Sequence, residues 1–233
     1  SIKSLVNMAI DENPATMYSI YRDTNAKYVL FTTKNGLVKK TTLDEYIKTK
    51  KKTGIAAIAL RENDRLASVS LIDNEPILLL TKNGYIIRFN SSEITPTSRS
   101  TYGIKGITLS EGDEVVMALP IRHDTDNLAV FTTGGMGKKV PLTEITIQKR
   151  GGKGLYIYKP TASTGNVISA SLIDDNDNLL YGGTKSVLKS DFGYYSIQGF
   201  HLVTFLSASN NTPAVLRLDL ILPVQLPIYG LLT

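Results

Sequence analysis

Between residues 148 and 154 the chain reads Gln148-Lys149-Arg150-Gly151-Gly152-Lys153-Gly154, three cations set among three glycines. Glycine lets a backbone come close to an anion, and the flanking cations then supply charge around a bound phosphate. The same glycines also suit a tight crossing of two chain segments, and both readings stand. A nucleotide P-loop is excluded, because that motif needs G-x-x-x-x-G-K-[ST] opening a helix and Lys153 is followed by Gly154. Other cations recur at the ends of apolar runs: Lys39 and Lys40, then Arg88, then Lys138 and Lys139, then Lys189. The connections that follow add Lys48, Lys50, Lys51, Lys52 and Arg99. A solvated face is the bland account of each cluster, and recurrence in register argues against it.

Covalent and metal chemistry have little to work with. The chain of 233 residues has no cysteine and two histidines, His123 and His201, which lie in different parts of the sequence. No metal site is expected from so few convergent ligands. Asp174, Asp175 and Asp177 lack the glycine and terminal glutamate of a calcium loop and read as a polar turn. No nucleophile, base or ligand set recurs with suitable spacing, so an enzyme is the least favoured class. The apolar stretches are strand-length and interrupted by polar residues, short of the roughly 20 that cross a bilayer, so no membrane partner is expected. Charge is unevenly spread. Residues 1–160 hold 23 Lys and Arg against 16 Asp and Glu, whereas residues 161–233 hold 3 against 5. The basic part is the part that would meet a polyanion.

These cations are positioned by a repeat of about 49 residues. VLFTTKNGLVKKTTLDEY from Val29, LLLTKNGYIIRFNSSEI from Leu78 and LAVFTTGGMGKKVPLTEI from Leu128 share an apolar run, a turn and a basic strand, with a weaker copy from Leu179. The turn glycines Gly36, Gly84 and Gly135 lie 48 and 51 residues apart, and a second marker recurs around Gly54, Gly103, Gly151 and Gly199. Runs of Val, Ile, Leu, Thr and Tyr bounded by Asn-Gly and similar clusters predict β-hairpins, with Asn35-Gly36 and Asn83-Gly84 as two-residue turns. Leu43–Tyr46 and its counterparts predict a short helical turn. A fixed period of this length signals an array of small sheets. The predicted fold is all-β, a propeller-like disc of about five four-stranded blades formed by one domain over residues 1–233, with six blades as the alternative. The N-terminal SIKSLVNM and the run from Ala214 would share the closing blade and remove the open edges.

A circle of outward cations suits duplex DNA, which presents one charge per ~1.7 Å and releases counterions when its phosphates are neutralised. Such contacts position a duplex without reading its sequence. Bending 20 to 30 base pairs by 40 to 90° costs on the order of 1–6 kcal/mol, so wrapping requires contacts that accumulate as the bend grows. Lys39, Lys40, Lys50, Lys51, Arg88, Arg99, Lys138, Lys139 and Lys189 are the expected DNA-binding residues.

The alternation of these strands with GI-x-x-I-x-L segments resembles the C-terminal domains of the A subunits of bacterial type IIA topoisomerases, gyrase and topoisomerase IV, over residues 1 to about 200. Gln148, Lys149, Arg150, Gly151, Gly152, Lys153 and Gly154 resemble the gyrase A box, usually QRRGGKG, with Lys149 in place of Arg. The resemblance implies a β-pinwheel that wraps double-stranded DNA and supports negative supercoiling. It also implies association with the B subunit, and with the rest of the A subunit, in an enzyme of two A and two B subunits in the bacterial cytoplasm with the nucleoid. No cofactor is expected in this domain, the ATP and Mg of the parent enzyme being bound elsewhere. Family members carry the box in the first blade, whereas here it follows the third complete repeat, which leaves open a topoisomerase IV-type domain that selects DNA geometry. A propeller used for protein interaction is the alternative of another class.

Overall fold

The structure is a computed structural model, and it describes residues 18, 20, 25–48, 55–124, 127–173, 178–182, 200–207 and 213–220. The all-β expectation holds. The chain forms β1 (Tyr28–Thr33), β2 (Leu37–Thr42), a four-residue helix α1 (Asp44–Ile47), β3 (Leu66–Ile72), β4 (Ile77–Thr81), β5 (Tyr85–Phe89), β6 (Ile104–Lys105) and β7 (Val115–Pro120). There follow β8 (Asn127–Thr132), β9 (Gly137–Pro141), β10 (Leu155–Tyr156), β11 (Val167–Ile173), β12 (Asn178–Gly182), β13 (Phe200–Ser207) and β14 (Pro213–Leu220). The helical turns predicted after each basic strand are α1 and two 3-10 turns, Ser91–Glu93 and Leu142–Glu144.

Two compact units divide the chain. The first, which includes residues 145–159, holds two four-stranded sheets, ordered β3-β1-β2-β6 and β10-β5-β4-β7. Each takes its fourth strand from the following repeat: β6 pairs with β2 through Leu37↔Lys105 and Val38↔Ile104. In the same way β10 pairs with β5 through Leu155↔Ile86 and Tyr156↔Tyr85. Strand exchange thus caps the edge that β2 or β5 would otherwise leave open. The second unit holds two three-stranded sheets, β11-β8-β9 and β12-β13-β14.

The hairpin turns differ from expectation. Lys34-Asn35-Gly36 and Lys82-Asn83-Gly84 are three-residue connections in which the glycine takes φ +79° or +85° and its N–H returns to the Thr33 or Thr81 carbonyl at 3.0 Å. Each threonine hydroxyl also accepts from the first residue of the next strand, Leu37 N at 3.2 Å and Tyr85 N at 3.1 Å. A left-handed glycine after a type I-like turn gives the three-residue hairpin, so the asparagines need no positive φ.

Strand β4, Ile-Leu-Leu-Leu-Thr, is buried at every position. It reads as a continuous apolar run because both of its faces are covered. Between the two sheets of the first unit, Leu30, Val38 and Ile72 pack with Ile77, Leu79, Ile87, Phe89 and Ile107. Full burial of such side chains contributes about 1.5–3 kcal/mol each. On the other face of the first sheet Val29, Phe31 and Leu43 form a second cluster with Tyr46 and Ile58.

Residues 1–8, predicted to share a closing blade with the run from Ala214, lie outside the described residues. β14 itself pairs antiparallel with β13. The repeat pattern predicts that the fourth copy opens as a hairpin from Leu179; β12 instead pairs parallel with β13, and residues 183–199 lie outside the described residues.

Candidate functional site

The basic strand ends are where sequence and structure part most sharply. Lys39 and Lys40 are 2% and 4% exposed and Arg88 is 6% exposed. They cannot serve as outward DNA ligands in this arrangement, which corrects the expectation for all three. The cause is the exchanged strand: the segment entering β6 passes over β2, with Thr97 N–H bonded to the Lys40 carbonyl at 2.8 Å, and the segment entering β10 passes over β5, with Gln148 N–H bonded to the Arg88 carbonyl at 2.7 Å. The covered cations turn to backbone oxygens. Lys39 Nζ donates to the carbonyls of Ala57 at 2.8 Å and Arg99 at 2.9 Å. Lys40 Nζ donates to Ser91 O at 2.8 Å and lies 4.7 Å from the Tyr28 ring centroid. Arg88 Nη1 reaches Ile145 O at 3.5 Å. Burial pulls the Lys39 pKa down to about 8, with Glu45 opposing the shift and Arg99 assisting it, and burial lowers that of Lys40 as well.

Arg99 is half-buried, its Nε 3.6 Å from Glu45. Lys138 is exposed and Lys139 half-buried on β9 in the second unit. Lys50, Lys51 and Lys189 lie outside the described residues.

The glycine-rich segment 148–154 also belongs to the first unit. Strand pairing aligns Leu155 with Ile104, so Gly154 is the equivalent of Gly103, and the spacing that matched Gly103 with Gly151 is corrected by three residues. In this register Arg150 is the equivalent of Arg99, and Glu93 of Glu45. The two acidic residues sit in the helical turns and meet the two arginines: Arg150 N–H donates to Glu93 Oε2 at 3.0 Å and Nε to Glu93 O at 3.3 Å. Arg150 Nη1 donates to Lys105 O. Arg150 is therefore committed to protein contacts. Lys149 and Lys153 are exposed, with Lys153 Nζ 5.3 Å from the Tyr85 ring centroid.

The three glycines do different work. At Gly154 φ is +81° and an added Cβ would lie 2.3 Å from Ile86 O, so close approach to β5 demands glycine. Gly151, at φ +86°, donates its N–H to Gly106 O at 2.8 Å. Gly152 is exposed, has no positive φ, and an added Cβ would meet nothing nearer than 3.5 Å. A bare backbone with lysines on either side can accommodate a phosphate oxygen closely.

Sequence reasoning missed Lys105. It is exposed at the end of β6, and its Cγ and Cδ lie 3.8 Å from where a Gly151 Cβ would be. The only hint was the lysine in the repeat marker YGIKGITL.

Comparison with known proteins bears on what such a surface does. Residues 27–73, 75–122 and 126–174 match the family model described as DNA gyrase C-terminal domain, beta-propeller. Over 192 residues the chain is 33% identical to the A subunit of DNA gyrase from Lawsonia intracellularis (strain PHE/MN1-00), covering 81% of this chain and 23% of that protein. Over 182 residues it is 33% identical to the A subunit of DNA gyrase from Staphylococcus epidermidis (strain ATCC 12228 / FDA PCI 1200), covering 77% and 20%. The chain thus spans less than a quarter of the length of these relatives. Among solved structures, the C-terminal domain of DNA topoisomerase IV aligns with a TM-score of 0.68 at 30% identity, over 75% of this chain and 55% of that one. The DNA gyrase A C-terminal domain aligns with a TM-score of 0.67 at 28% identity, over 75% and 58%.

Proposed function

The chain belongs to the DNA gyrase C-terminal domain family, a β-pinwheel or propeller fold, and from that premise we propose that it binds and bends duplex DNA as part of a bacterial gyrase, without catalytic chemistry of its own. The observation that carries this reading is the box: Gly152, exposed and without a side chain, lies between the exposed Lys149 and Lys153. Lysine is a compact point charge suited to phosphates. Lys138 on β9 is a further exposed cation, carried by the second unit. The ligand set is narrower than the repeat pattern implies, because Lys39, Lys40 and Arg88 hold the scaffold. Association with the B subunit, and with the rest of the A subunit, in the bacterial cytoplasm follows from the same reading, with cleavage and ATP chemistry in other domains.

Binding to a duplex of about 40 base pairs tests it. Each phosphate contact contributes about −0.9 to the slope of log K against log salt, so several contacts give a steep fall between about 50 and 200 mM. Salt-insensitive or absent binding would end this reading. The matching likeness to the topoisomerase IV domain supports a second one, in which the surface selects DNA geometry without a full wrap. A supercoiling assay of the parent enzyme separates them: introduction of negative supercoils favours gyrase, relaxation alone favours topoisomerase IV.

A further inference from the structure

We infer that Lys105 is a duplex-phosphate ligand of the box, supplied from outside the seven-residue motif by the preceding repeat. The inference rests on the DNA-binding reading above and adds one residue to its ligand set. The box folds against the segment that follows β6. Gly151 N–H donates to Gly106 O at 2.8 Å, Thr108 N–H to Gly152 O at 2.9 Å, and Thr108 Oγ1 to Gly151 O at 2.7 Å. Arg150 Nη1 adds the bond to Lys105 O. Three contacts through the glycine backbone and one through the Arg150 side chain therefore fasten the box to residues 105–108, and the Lys105 stem lies alongside Gly151.

Three exposed lysines then lie on or beside this segment, Lys105 from one repeat and Lys149 and Lys153 from the next. None of the three forms an ion pair with a carboxylate among the described residues. Their charge is thus available to an anion. The position equivalent to Lys105 on β10 holds Tyr156, packed against Tyr85 with ring centroids 4.9 Å apart. The cation at 105 is accordingly a property of the place where the box lies and not of the repeat. A phosphate seated at the exposed Gly152 gains a third point charge there.

The test uses the full chain, a fluorescent duplex of about 40 base pairs and anisotropy titrations between about 50 and 200 mM salt. Lys105→Met keeps the stem against Gly151 and removes the charge; Lys105→Arg keeps the charge. One phosphate contact contributes about 0.9 to the slope, so over this fourfold rise in salt Lys105→Met is expected to lose about 3-fold less affinity than the parent. Lys105→Arg should match the parent, and the paired Lys149→Gln, Lys153→Gln variant should show a larger reduction in slope. A parental slope in Lys105→Met beside a reduced slope in the paired variant overturns the role of Lys105 and leaves the DNA-binding reading intact. A parent chain whose affinity ignores salt overturns both.

Discussion

Lys40 Nζ donates to the Ser91 carbonyl at 2.8 Å, joining a basic strand of one repeat to the 3-10 turn of the next. Its equivalent Arg88 reaches the Ile145 carbonyl, just beyond the corresponding turn. A buried charge tolerates this position only while its hydrogen bonds are made. Lys40 and Arg88 are thereby pegs between successive repeats.

Replacing Lys40 by Ala should therefore act on stability and not on DNA. Leaving the Ser91 carbonyl without its donor costs about 1–3 kcal/mol. Urea unfolding should show the loss, while the salt slope of DNA binding, measured where the variant is folded, stays parental. A reduced slope with unchanged stability would return Lys40 to the DNA surface.

Lys39 predicts an unusual pH response. Its pKa is about 8 in the folded protein against 10.5 for an ordinary lysine. Below pH 8 both states hold the proton; between about 8 and 10 the unfolded chain keeps it and the folded chain releases it, so this group makes stability rise with pH. A neutral amine still has two N–H donors, matching the carbonyls of Ala57 and Arg99. Tyr46, whose pKa is raised by burial, acts in the opposite sense above pH 10. Melting curves of the parent and Lys39→Met from pH 7 to 9.5 should diverge in the parent's favour as pH rises. Parallel curves would refute the shift.

Arg150 is expected to behave as a latch. Arg150→Gln and Glu93→Ala each remove contacts between the box and the preceding turn, and each should lower unfolding stability by about 1–2 kcal/mol. The partly exposed Arg99–Glu45 pair, 3.6 Å apart, should matter less, below about 1 kcal/mol. Denaturant midpoints for Arg150→Gln, Glu93→Ala, Arg99→Gln and Glu45→Ala provide the check.

The box glycines separate packing from recognition. Gly154→Ala places a methyl 2.3 Å from Ile86 O in a left-handed conformation and should cost at least about 2 kcal/mol. Gly152→Ala meets no such obstacle and should fold like the parent. If its DNA affinity nevertheless falls, close approach of a phosphate to residue 152 is supported; unchanged affinity would argue that the anion sits elsewhere.

Much of the architecture is readable from residues alone because it is locally encoded. Thr33, Gly36 and the apolar runs on either side specify a hairpin within about a dozen residues, and the copies at Thr81 and Gly84 repeat it. The glycine and cation content of residues 148–154 likewise marks a basic loop. The turn type is not readable in this way, since a local Asn-Gly pair does not reveal whether one or two residues take positive φ.

The fate of the cations is set elsewhere. Alternation along β2 places Lys39 and Lys40 on opposite faces, but a pattern of two tells inside from outside only when one face meets water, and here the following repeat covers the strand. The same exchange moves the register of the second marker by three residues and brings Lys105 beside Gly151. Composition and period thus specify blades and an excess of positive charge. Which charges face solvent depends on a strand arriving from about 60 residues away, and only long-range packing supplies that.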